Sequence, residues 1–232
     1  MTELTDRGKQ IRRDALKLGI PNGEDNFGGC FSVVEILTAL YDHSLDEADT
    51  VILSKGCCPT SHAVILREKG LPESASTVIC MYAGVGFARA KKLSGDAGRV
   101  YIIVSGAETQ EGAFWETLLR GREFKLDNLT VIVDHASGIP DCDIAEGAIN
   151  TISSIALSKI AMYVDWASLV IDGHHIDTIC NTLDWTLTLS VPSLIIANTI
   201  SGRGVSFMED RAEWHARFPT PNEIEQAYGE LW

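Results

Sequence analysis

Between Val100 and Asp134 the chain runs from five consecutive strand-forming residues, Val100-Tyr101-Ile102-Ile103-Val104, through the turn Ser105-Gly106-Ala107-Glu108-Thr109-Gln110-Glu111-Gly112 into a helical pattern, and then into a second apolar run, Leu129 to Val133. Short β-branched runs without polar alternation predict strands covered on both faces, as in a parallel sheet. Ala113, Phe114, Leu118 and Leu119 keep helical spacing over Glu111 to Lys125. The unit therefore reads strand, helix, strand, with the two strand tips side by side and Asp134-His135-Ala136-Ser137-Gly138 closing the second. Ligands of open α/β sheets gather at such carboxyl ends.

Elsewhere the spacing predicts helices over Thr5 to Leu18 with Thr5 or Asp6 as cap, Ser32 to Asp42, Ser61 to Lys69, Ser76 to Leu93, Asn150 to Tyr163, Ile176 to Leu189, and Pro221 to Leu231. In the fourth of these, Val78, Ile79, Tyr82, Val85 and Phe87 form the expected apolar face. Two further strands are expected at Ser168 to Ile171 and Ser193 to Ala197. Four strands alternating with helices predict an α/β fold, a doubly wound parallel sheet flanked by helices, as one domain over residues 1–232. Thirty-two Asp and Glu against 19 Lys and Arg give a net charge of −13, which with no Lys/Arg cluster argues against nucleic acid and anionic membranes as partners. The polar start Met1 to Asp6 is no signal peptide, and no apolar run approaches the ~18 residues of a membrane span. The expected compartment is the cytoplasm.

Seven phrases in order resemble the N-terminal, pyrophosphate-binding half of transketolases, particularly those split into two subunits. They are Ile11-Arg12-Arg13-Asp14; Phe27-Gly28-Gly29-Cys30-Phe31-Ser32; Val51-Ile52-Leu53-Ser54-Lys55-Gly56; Gln110-Glu111-Gly112 with Trp115-Glu116; Lys125-Leu126-Asp127-Asn128-Leu129; Asp172-Gly173-His174; and Gly202 to Glu209 leading to Glu213-Trp214-His215. The resemblance implies a thiamine-diphosphate-binding fold and two-carbon ketol or acyl transfer between phosphorylated or free sugars. It also implies thiamine diphosphate with Mg²⁺ as cofactors, and a separate C-terminal, pyrimidine-domain subunit in an α2β2 heterotetramer. It places Ser105, Gly106, Ala107 and Glu108, with Ala136 and Gly138, against the diphosphate, the Gly138 carbonyl on the metal, and His215 in the active site. Glu111 corresponds to an acid near the family's two-fold axis, or serves simply as a helix-start carboxylate.

The family's Gly-Asp-Gly turn reads Ser105-Gly106-Ala107 here, and its later metal-binding Asn is Ala136. Neither supplies a side-chain oxygen, which a hard divalent cation requires. Two family histidines read Asn26 and Cys57, and the glycine-rich pyrophosphate segment is shortened to Gly70 through Cys80. Glu108 and Asp134 are the nearest acids, although neither looks like a compensating change. Cys30, Cys57, Cys58, Cys80 and Cys142 align with loops around the diphosphate pocket, either as a soft-metal or redox site or as small residues filling space. His174-His175 reads as a cap or hydrogen-bond donor at a strand-to-helix turn, His62 as a pocket or helix-start residue, and the tryptophans as core or interface anchors. Two functions remain. One is a transketolase-like subunit that acts with its partner; the other is a pseudoenzyme subunit that has lost the cofactor and stabilises or regulates a partner, or binds another ligand.

Overall fold

Among the described residues, strand-forming runs drive five strands, one more than the longest runs predict, into a parallel sheet of order β1-β2-β3-β5-β4. The computed structural model describes residues 5–54, 59–72, 80–136 and 152–232. The strands are β1 (Thr50–Leu53), β2 (Val100–Ser105), β3 (Leu129–Ala136), β4 (Ala167–Asp172) and β5 (Ser193–Thr199). The additional strand is β1, a four-residue edge strand. β3 runs three residues past the apolar stretch, so Ala136 lies on the strand, paired with Thr199, rather than in the following loop.

The helices are α1 (Asp6–Asn22), α2 (Phe27–Ser32), α3 (Val34–Ala39), α4 (Pro59–Glu68), α5 (Met81–Ser94), α6 (Gly112–Glu123), α7 (Ser154–Tyr163), α8 (Ile176–Leu187) and α9 (Pro221–Glu230). Alternation along the strands builds two cores. Tyr101, Ile103, Ile132 and Ile195 meet α1 to α4, α8 and α9, while Ile102, Val104, Val131, Val133 and Leu194 meet α5, α6 and α7. α5, α6 and α7 precede β2, β3 and β4 on one face, and α8 carries the chain back to β5 on the other. All strand carboxyl ends therefore share one rim, as the doubly wound reading requires.

Several boundaries differ from the sequence pattern. α1 starts from Thr5, whose hydroxyl accepts from the Gly8 N–H, and continues past Leu18 to Gly23. Gly23, at φ +80°, turns the chain so that its own and the Glu24 N–H reach back to Ile20 and Gly19. The expected helix Ser32 to Asp42 instead begins at Phe27, capped by Asn26, breaks at Val33 and ends in a π-helical turn, Leu40–Ser44. In α5 the buried face is Met81, Gly84, Val85 and Ala88, and Tyr82 and Phe87 are exposed. Gly84 decides this, because a Cβ there would lie 2.3 Å from Ile102 Cδ1. The expected start of that helix at Ser76 falls outside the described residues. α6 begins one residue after Glu111, which takes the cap position without a side-chain cap bond, and α7 begins at Ser154 under its Ser153 cap. No helix among the described residues is long and apolar enough to cross a membrane.

Candidate functional site

The tips of β2 and β3 stand side by side, with Ser105 in register with Asp134 and the Gly106 N–H donating to the Asp134 carbonyl at 2.9 Å. Gly106 opens a short 3-10 turn, Ala107–Gln110, in helical geometry. A Cβ at Gly106 would find its nearest neighbours at 3.7 Å, so crowding does not exclude a side chain at this position.

Glu108 and Asp134 are already engaged at this rim. Glu108 accepts from the Ser54 hydroxyl at the end of β1 (2.6 Å), from the Ser105 hydroxyl (2.9 Å) and from the Ser105 N–H (2.7 Å). Asp134 is buried and accepts from the hydroxyls of Ser32 on α2 (2.6 Å) and Thr199 on β5. His135 donates through Nε2 to the Ile152 carbonyl at 3.0 Å. Among the described residues no three His, Cys, Asp or Glu side chains converge as metal ligands. Gly106 and Ala136 have no oxygen to offer, and Glu108 and Asp134 serve as latches between strands and helices. The described residues therefore do not fit a divalent metal on the usual diphosphate ligands. Gly138, Cys57, Cys58 and Cys142 lie outside the described residues; Cys30 is packed in the core, Cys80 is exposed and Cys180 is half-buried.

One turn back along α2 from Ser32, beside Gly28, stands His215, which ends a short 3-10 turn, Ala212–His215. Its Nε2 lies 3.2 Å from the Ser201 hydroxyl, and that hydroxyl would be 2.6 Å from a Cβ at Gly28. Glycine is required there, because α2 and the loop after β5 touch backbone to backbone: the Gly202 N–H donates to the Gly28 carbonyl at 2.9 Å. The Arg217 guanidinium stacks on Trp214, and the Arg217 N–H donates to the Asp25 carbonyl, fixing the turn that carries His215. Asn26 caps α2 by accepting from the Gly29 N–H.

Behind this seam lies a buried ionic cluster that the sequence did not single out. Glu35 on α3 accepts from Arg12 Nη1 (2.7 Å) and Nη2 (2.8 Å) of α1, and from His174 Nδ1 (2.8 Å). Arg12 also donates to the Phe31 carbonyl of α2 (2.7 Å), and the Ile200 N–H donates to His174 Nε2 (2.8 Å). Burial pushes the Glu35 carboxyl up, but the Arg12 charge and the His174 hydrogen bond outweigh it and hold the group at about 2. The available signal was Glu35 itself, a lone charge inside the apolar run Val33-Val34-Glu35-Ile36-Leu37. His174 thus acts as a hydrogen-bonding residue and His175 as the cap of α8. His62 is fully buried against Tyr41, whose hydroxyl lies 2.7 Å from its Nε2, and burial lowers it to about 4. Trp214 and Trp166 are core residues, whereas Trp232 is exposed.

No protein-family model matches the chain. It is similar to an apulose-4-phosphate transketolase subunit of Actinobacillus succinogenes, at 29% identity over 279 positions covering 99% of this chain and 96% of that one. It is also similar to the protein of the same name from Phocaeicola vulgatus, at 27% identity, covering 89% and 85%. Human transketolase matches at 26% identity over 99% of this chain and 42% of its own length. The transketolase structure from Campylobacter jejuni superposes with a TM-score of 0.81 at 18% identity, covering 97% of this chain and 42% of that one. The chain is transketolase-like in sequence and in fold, with the extent of the separate bacterial subunits and about two fifths of the length of the full-length enzymes.

Proposed function

We propose that this chain is the N-terminal subunit of a split transketolase-like enzyme. With a separate pyrimidine-domain subunit, in an α2β2 assembly, it would move a two-carbon ketol or acyl unit between sugars. The observation that carries the proposal is the match along most of the chain with two proteins that are each named as one subunit of a transketolase. Their named substrate, a sugar phosphate, makes phosphorylated ketoses the first class to test. The chain's own contributions are the seam between α2 and the loop after β5, and the His215 imidazole held there by Ser201. Glu111 at the start of α6 is exposed, so it is accessible to a second subunit.

A specific observation favours a second reading, a non-catalytic subunit. Gly106 and Ala136, which the resemblance aligns with the family's metal ligands, carry no side-chain oxygen, and Glu108 and Asp134 are tied to serine and threonine hydroxyls. Calorimetric titration of thiamine diphosphate with Mg²⁺ into the chain, alone and co-purified with a C-terminal transketolase-like partner, separates the two. Binding and transfer in the complex support the enzyme; a stable complex that neither binds cofactor nor transfers sugars supports the pseudoenzyme.

A further inference from the structure

The geometry points to the buried triad Arg12, Glu35 and His174 as a clamp that positions His215. The triad spans both walls of the seam. Arg12 holds α2 through the Phe31 carbonyl, and His174 holds the loop after β5 through the Ile200 N–H. Glu35 joins these two side chains, and all three residues are at most 6% exposed.

The direction of the hydrogen bonds fixes the chemistry. Because the Ile200 N–H donates to His174 Nε2, that nitrogen carries no proton; Nδ1 carries it and donates to Glu35 Oε2. A second constraint on His174 comes from Asp172, whose Oδ1 accepts the His174 backbone N–H at 2.8 Å. One residue beyond Ile200, the buried Ser201 meets His215 Nε2, and two beyond, Gly202 bonds to Gly28. Any shift of the Ile200 amide therefore moves the hydroxyl that aims His215 and the backbone contact that closes the seam. His174 and Glu35 lie behind the seam and act through Ile200 and Ser201, so they are positioning residues.

This inference relies on the proposed function only in giving His215 a substrate to meet, and its test needs neither partner nor cofactor. Amide hydrogen exchange is measured on the full chain and on His174→Ala and His175→Ala, the latter removing the adjacent cap of α8. His174→Ala is expected to speed exchange at residues 200–204 and 214–217 by about tenfold or more relative to Val131 to Val133 in β3, as local opening does when a buried hydrogen bond is lost. His175→Ala is expected to leave both segments unchanged, and the His215 ring nitrogen resonances are expected to shift in His174→Ala and not in His175→Ala; an unshifted His215 in His174→Ala overturns the clamp. Uniform acceleration, no acceleration, or the same pattern from His175→Ala overturns the clamp. Should His174→Ala fail to fold, the histidine ring nitrogen spectrum of the parent decides. A proton on Nδ1 with Nε2 accepting from Ile200 upholds the clamp; a proton on Nε2 overturns it. A failed clamp would leave the transferase reading standing, and absent transfer activity would leave the clamp standing.

Discussion

Replacing Glu35 with Gln should make stability depend on pH in a way that can be worked from the structure. The carboxylate is 2% exposed and takes three donors, two from Arg12 and one from His174. Its ordinary value of 4.5 is lowered to about 2 in the folded chain. A group depressed on folding stabilises in full above its unfolded value and loses that contribution as pH falls through the folded one. The difference corresponds to about 3 kcal/mol, of which a little over half is gone by about pH 3. At pH 7 the substitution leaves the buried Arg12 charge without its counter-ion, and breaking such a pair costs roughly 3–5 kcal/mol. As pH falls, the parent's own carboxyl becomes neutral and comes to resemble the amide. Urea unfolding followed by tryptophan fluorescence, run on both proteins from pH 7 to pH 2.5, should show a gap in unfolding free energy that narrows by about 2 kcal/mol or more below pH 4.5. Titrations common to both proteins cancel in that gap. A gap that stays constant across the range would mean Glu35 is not held ionised by Arg12 and His174, and the electrostatic account of the cluster would fail.

The double substitution Gly106→Asp with Ala136→Asn should raise Mg²⁺-dependent binding of thiamine diphosphate, on the order of 2–5 kcal/mol by analogy with re-pairing a desolvated charged contact. The space around Gly106 accepts a Cβ without clash; calorimetry of the assembled complex that cannot tell the double variant from the parent would refute the assignment of these positions as lost ligands. His62, lowered from 6.5 to about 4 by burial, is neutral in the fold and must charge on unfolding. Its contribution is present above pH 6.5 and is lost as pH falls toward 4, so the parent should lose about 3 kcal/mol more than His62→Gln over that interval, read from unfolding midpoints; parallel curves would contradict the buried neutral imidazole.

Much of the fold was legible because the central strands β2, β3 and β5 are buried on both faces. Val100 to Val104 and Leu129 to Val133 have no polar alternation, and continuous β-branched runs flanked by small turn residues leave few other solutions. β1 escaped because Val51-Ile52-Leu53 is too short to stand out, and its pairing with β2 decides its state. The break at Val33 and the π-helical turn after Ala39 were hidden inside one apolar stretch whose periodicity does not change. Tyr82 and Phe87 were misplaced because burial in α5 follows the glycine that lets Ile102 approach, and a glycine carries no hydrophobic signal.

The side-chain oxygens that Gly106 and Ala136 lack were legible in the sequence, whereas the bonds that engage the neighbouring acids were not. Gly106 and Ala136 could be read as missing ligands from local phrases, but the partners of the remaining acids are remote: Ser54 lies 54 residues from Glu108, while Ser32 and Thr199 lie 102 and 65 residues from Asp134. A buried carboxylate must be neutralised, bound to a cation or surrounded by donors, since leaving it unpaired costs several kcal/mol. In this chain the third solution is built into the rim. Ser54 and Ser105 satisfy Glu108, Ser32 and Thr199 satisfy Asp134, and the same bonds tie β1 to the turn after β2 and α2 to β3 and β5. The strand ends are therefore held together by hydroxyl donors that satisfy both carboxylates.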